Sequence, residues 1–175
     1  AAAVITFGSY RTCAVLTDGD VYCWGRNCHG QLGNSTNNGT NTANPIPAKV
    51  TTLPSAAAAI TAGAYHTCAV LTDGTVYCWG NNYAGQLGNS TNNGIDTANP
   101  LPLKHISRRR AAAPCTARRY PTRAVQNAGA VYCCGPNDAR QLGNSPTTHT
   151  NNTQPSAATQ NTHTRQQPPI THHLP

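Results

Sequence analysis

The chain has 175 residues, 12 Lys and Arg against 5 Asp and no Glu, 8 Cys, no Met and a net charge of +7, which suits one soluble domain at most. No stretch approaches 18 apolar residues, so a transmembrane helix is excluded, and the Ala-rich start lacks the charged and apolar regions of a secretory signal. Of the 24 Leu, Ile, Val and Phe residues 19 lie before residue 111, and seven of the twelve basic residues lie between Lys104 and Arg123, so the core belongs to the first two thirds and the basicity is a local block.

Ala3 to Phe7 reads as a first strand. Cys13 to Leu16 and Val21 to Trp24 are short apolar runs separated by Thr17-Asp18-Gly19, the pattern of a β-hairpin. A three-residue loop with Gly19 in the left-handed region sets Leu16 opposite Asp20, Val15 opposite Val21 and Cys13 opposite Cys23. Both hairpin faces are apolar, Cys13, Val15, Val21 and Cys23 on one and Ala14, Leu16, Tyr22 and Trp24 on the other, so the sheet needs a neighbour on each side. Beyond an Asn/Thr/Gly loop, Pro45 to Val50 supplies another strand, for about four per unit, the number of a propeller blade. Gly, Pro, Asn and Thr interrupt every window long enough for a helix.

Residues 56–110 repeat residues 1–55 without a gap, matching at 37 of 55 positions. A third copy keeps the phase, with Val131-Tyr132-Cys133 under Val76-Tyr77-Cys78 and Gln141 to Ser145 under Gln86 to Ser90. It carries Arg123 where copy two has Cys68, Pro121 for His66, Gln126 for Leu71, Ala128 for Asp73, Cys134 for Trp79 and Arg140 for Gly85. Single base changes account for each exchange, so this copy reads as degraded. The expected organisation is propeller repeats at 1–55 and 56–110, a degraded repeat at 111–145 and a low-complexity, disordered tail at 146–175. Three blades do not close a ring; the expected fold is therefore all-β and an incomplete propeller, a piece of a longer protein completed by further blades or by self-association.

The run GAYHTCAVLTDGTVYCWGNNYAGQLG from Gly63 to Gly88 resembles the repeat of the regulator of chromosome condensation family, in which Asp-Gly, Trp-Gly and Gly-Gln-Leu-Gly follow in this order and spacing. Copy one departs modestly, with Arg11 at the histidine position and Arg26-Asn27-Cys28-His29 before Gly30. The resemblance implies a β-propeller acting as a protein-binding platform, here a cysteine-paired, bacterial-type member. It assigns structural signature positions to Asp18, Gly19, Trp24, Gly25, Gln31, Leu32 and Gly33, and to Asp73, Gly74, Trp79, Gly80, Gln86, Leu87 and Gly88. Members that promote nucleotide exchange on a small GTPase, and a relative that inhibits β-lactamase, offer an exchange factor or an exported surface or inhibitor module as alternatives. Neither activity transfers residue by residue.

Cys13 with Cys23, and Cys68 with Cys78, face each other at a non-hydrogen-bonded position of the hairpin, where a disulfide or two buried thiols both fit. Oxidised pairs would favour an extracellular or cell-surface location. Cys28, Cys115, Cys133 and Cys134 have no evident partners. No metal-ligand spacing, nucleophile elbow or carboxylate pair is present, and the expectation is no cofactor, no metal and no catalysis. Arg108 to Arg110 with Arg118, Arg119 and Arg123 lack the interleaved aromatics of a nucleic-acid surface apart from Tyr120, and nucleic acid is set aside. The sequons at Asn34, Asn38, Asn89 and Asn151 are those expected by chance in so Asn/Thr-rich a chain, and His149, His163, His172 and His173 read as solvated tail histidines.

Overall fold

The computed structural model describes residues 1–105 in full and, beyond them, the backbone of the strands within 111–117, 122–126, 131–135 and 152–157. Strands β1 (Ala2–Phe7), β2 (Arg11–Leu16), β3 (Val21–Arg26) and β4 (Ala43–Lys49) make one sheet, and β5 (Ala57–Ala62), β6 (His66–Leu71), β7 (Val76–Gly80) and β8 (Asn99–Lys104) a second. A third contains β9 (Ala111–Ala117), β10 (Thr122–Gln126), β11 (Val131–Gly135) and β12 (Asn152–Ala157). All three are four-stranded antiparallel meanders in chain order, the architecture of propeller blades.

The hairpin closes in the expected register: Val15 pairs with Val21 and Cys13 with Cys23, while the Leu16 amide donates to the Asp20 carbonyl at 2.8 Å. Gly19 adopts φ +86°, and its carbonyl accepts from the Ala57 amide at 2.9 Å, tying this turn to the start of the next sheet. Cys13 and Cys23 are joined with Cα atoms 4.2 Å apart, and Cys68 and Cys78 with Cα atoms 4.1 Å apart. Each bond closes a short loop, a sequence separation of 10, for which chain entropy gives about 3 kcal/mol of stabilisation. Replacing either pair by serines should lower the urea midpoint accordingly, and reduction of the unfolded chain should release at least four thiols; an unchanged midpoint would remove the pairs from the stability of the fold.

Two seams hold the sheets. Cys13, Val15, Val21, Cys23, Leu32 and Val50 of the first copy pack against Ala57, Ile60, Ala69, Leu71 and Trp79 of the second. The cystine face of the second copy, with Val70, Val76 and Leu87, forms its own cluster on the side where β9 lies against β5 and β6. The apolar hairpin thus uses its faces differently, the cystine face meeting the next copy and the Ala/Leu/Trp face the preceding one. On the first sheet Leu16, Tyr22 and Trp24 are half-buried, whereas Leu71 and Trp79 at the equivalent places are fully buried.

Asn152–Ala157, assigned from sequence to a disordered tail, is strand β12 and pairs with β11. Its apolar content is low because an outer strand is held by ladder hydrogen bonds, and Pro155 stands one repeat after Pro100 and two after Pro45. In the third sheet Arg123 pairs with Cys133 and Thr122 with Cys134 in backbone register. The side chains of Arg123, Cys115, Cys133 and Cys134, the arginines at 108–110, 118 and 119, the sequon at Asn151, the four late histidines and the rest of 146–175 lie outside the described residues. Among the described residues no helix is long and apolar enough to cross a membrane, and no cluster of metal-ligating side chains occurs.

Candidate interaction site

The β1–β2 turns and the long β3–β4 and β7–β8 loops emerge at the same end of the sheets, and the signature residues shape this end. Asn27, fully buried, organises the first long loop: its Nδ2 donates to the carbonyls of Asn34 (2.9 Å) and Thr36 (2.8 Å), and its Oδ1 accepts from the Leu32 amide at 2.9 Å. Asn82 repeats all three bonds with Asn89, Thr91 and Leu87. Asn44 and Asn99 fasten the far ends of the loops, donating to the carbonyls of Gly25 and Gly80 at 3.1 and 3.0 Å.

Gln31 is buried, its Oε1 accepts from the His29 amide at 2.8 Å, and its carbonyl receives Thr67 Oγ1 (2.7 Å) and Trp79 Nε1 (3.0 Å) from the next sheet. Gln86 serves the second loop, accepting from the Ala84 amide at 2.8 Å and donating to Asn81 Oδ1 at 2.7 Å. Leu32 and Leu87 fill the two clusters. Gly88 adopts φ +64°, and a Cβ there would collide with the His105 imidazole. Gly25, Gly33, Gly74 and Gly80 also take positive φ. Asp18 and Asp73 lie at the other end, in the hairpin turns, accepting from the amides of Asp20 and Thr75 at 2.9 Å each. The signature positions therefore build loops and seams.

Arg11 crosses the seam beside them. It is buried, Nε donates to Thr67 Oγ1 and Nη1 to the Ala64 carbonyl, both at 2.9 Å, and Nη2 donates to the His66 carbonyl. Burial lowers its pKa to about 9, so the guanidinium stays charged at neutral pH and is satisfied by oxygen dipoles.

Between the first two sheets, at the loop end, His29, Tyr65, Asn81, Tyr83, Ala84 and Asp96 line an open cavity of about 310 Å³. The His29 ring meets Tyr65 edge-on at 4.9 Å between centroids, and its Nδ1 lies 3.4 Å from Asp96 Oδ1. Asn81 Nδ2 donates to the same oxygen at 2.9 Å.

The regulator of chromosome condensation (RCC1) repeat model matches residues 18–70 and 73–115, and a second model of the same repeat matches 3–31 and 57–86. The chain belongs to the RCC1 repeat family. It is similar to the probable E3 ubiquitin-protein ligase HERC4 of Homo sapiens, with 33% identity over 145 residues, 83% of this chain but 13% of that protein. The fold is shared with Prp20p from Saccharomyces cerevisiae, a protein studied for its binding to Gsp1p and histones (TM-score 0.81, 23% identity, 91% of this chain and 39% of that one). It is shared equally with the yeast RCC1 protein Prp20 bound to Kap60 (TM-score 0.79, 21% identity, 91% and 37%). The chain thus spans about an eighth of the ligase it matches and under two fifths of these propellers.

Within this RCC1 chain, sequence reading singled out the Asp-Gly, Trp-Gly and Gly-Gln-Leu-Gly positions and missed Asn27, Asn82, Asn44 and Asn99, whose signal was their recurrence in phase. Tyr65, Asn81, Tyr83 and Ala84 lie within the Gly63–Gly88 run but at its variable positions, and the cavity forms only when His29 of the first copy meets them across the seam.

Proposed function

We propose that the chain is a non-catalytic protein-interaction module of a longer β-propeller, making its contacts through the end that carries the β1–β2 turns and the long loops. One observation carries this reading. Between Thr12 and Pro45 the first copy differs from the second at six positions, and five of them, Arg26/Asn81, Cys28/Tyr83, His29/Ala84, Thr40/Ile95 and Asn41/Asp96, lie at the end of β3 or β7 and on the loop that follows. The residues that hold the loop, Asn27, Gln31 and Asn44, recur unchanged as Asn82, Gln86 and Asn99, while the exposed pairs Thr40/Ile95 and Asn41/Asp96 differ and half-buried Cys28 gives way to exposed Tyr83. A constant scaffold with changed loops is how binding specificity is varied on one fold. The engagement of Asp18 and Asp73 in turns and of Asp20 with Lys49 at 2.5 Å supports a structural reading of these three carboxylates.

A photo-cross-linking residue at position 83 should give discrete adducts with a partner protein, and one at position 72, at the opposite end of the sheet, should not. Adducts from position 72 alone would overturn the assignment. The exchange-factor alternative forecasts faster nucleotide release from a small GTPase, which the same preparation tests.

The half-buried face of the first sheet supports the larger propeller. Leu71 and Trp79 are covered by the cystine face of copy one, and Leu16 and Trp24 present the same surface to a further blade. The purified chain should therefore self-associate in sedimentation; a monodisperse, cooperatively melting monomer would count against it.

A further inference from the structure

In copy one the end of β3 carries its own cation. The Arg26 guanidinium carbon lies 5.2 Å from the centroid of the Tyr10 ring, and Nη2 donates to Asn41 Oδ1. The repeat sets Tyr65, Asn81 and Asp96 at the same three places in copy two. Two exchanges alter the chemistry: the arginine has become a short neutral amide, and the acceptor amide has become a carboxylate. Asn81 preserves the hydrogen bond to the acceptor, at 2.9 Å, but brings no charge. The Tyr65 and His29 rings meet at an interplanar angle of 67°, and the Asp96 side chain, which lines the cavity, is 70% exposed. Tyr83, replacing Cys28, adds a second ring that is 56% exposed.

Copy two thus retains the cradle of copy one with the resident guanidinium replaced by the His29 imidazole, which touches the equivalent ring and acceptor from the first copy, and with the acceptor made anionic. Asp18, Asp20 and Asp73 are held in turns or by Lys49, so among the described carboxylates Asp96 is the one set beside aromatic rings in a cavity. A guanidinium suits such a place, since its plane stacks on an aromatic face while its edge donates to a carboxylate.

We propose that the cavity lined by His29, Tyr65, Asn81, Tyr83 and Asp96 receives an arginine side chain of a protein partner, an inference that rests on the protein-binding reading and names what the partner inserts. The full chain is titrated with N-acetyl-arginine methylamide and with its neutral isostere N-acetyl-citrulline methylamide, following the ring resonances of Tyr65 and Tyr83. The arginine probe should shift both saturably, with citrulline about tenfold weaker or more. Asp96→Asn should weaken the arginine probe by a similar factor, and Asn81→Arg should abolish its binding by restoring the internal cation. Both variants introduce residues that copy one already holds at these positions, and an unchanged thermal melt confirms folding. Equal binding of the two probes, or unchanged affinity in both variants, would overturn the proposal. Peptides selected by display against the full chain separate it from the broader reading. Selected peptides whose binding ignores both variants sustain protein binding and overturn the arginine site, whereas arginine-probe binding with no selectable peptide sustains the guanidinium selectivity and removes the protein-binding reading.

Discussion

Replacing Trp79 with alanine is expected to cost about 3–5 kcal/mol of folding free energy, a large part of what a domain of this size possesses. Its side chain has no solvent exposure, sits in the cluster shared by the first two copies and donates Nε1 to the Gln31 carbonyl. Truncation therefore empties an indole-sized volume and leaves a buried carbonyl short of one donor. Trp79→Phe separates the two effects, since it keeps most of the ring and should cost about 1–2 kcal/mol for the lost hydrogen bond and volume. Trp24, half-buried on the outer face, should cost about 1–2 kcal/mol when truncated. Urea unfolding measures all three, and a loss below about 1 kcal/mol for Trp79→Ala would mean that the seam is not a source of stability.

Acid should be the second large destabiliser. Burial pushes the His66 imidazole down to about 3, the charge of Arg11 adding to the effect, and burial alone pushes His105 down to about 4. Both are neutral in the fold at pH values where an ordinary imidazole, near 6.5, is protonated. The unfolded chain takes up these protons as the pH falls through 6.5 and the native chain does not. Stability is therefore full above 6.5 and is lost between 6.5 and about 4, at about 1 kcal/mol or slightly more per pH unit for each histidine, or about 5 kcal/mol across the window. His105→Val, which installs the residue that copy one has as Val50, should roughly halve the slope of urea stability against pH. A flat profile from 6.5 to 4.5 would show that neither imidazole is held neutral.

The hairpins were legible because their determinants are local. Thr-Asp-Gly between two apolar runs sets the loop, the loop sets the register, and the register places Cys13 against Cys23 without knowledge of the rest of the chain. Strand β12 was not legible from its composition, because an outer strand that is bonded through its backbone needs few apolar side chains. Arg11 was legible only as a departure from the histidine at position 66; its reach across the seam to Thr67 and Ala64 depends on how two copies stack. The cavity was the least accessible, since His29 and Tyr65 belong to different copies and meet only when those copies are packed.

The donation of Thr67 and Trp79 to the carbonyl of Gln31 gives the seam a direction: copy one offers an acceptor forward and copy two offers donors backward. A surface that fits the back of its own duplicate needs no new partner to be invented when the gene lengthens. Insertion or excision of a whole 55-residue period brings together faces that already match, whichever residue the cut falls on, while any other length shifts strands against loops. Such a chain gains and loses length in quanta, and the intact unit, more than any single residue in it, is what inheritance has to copy.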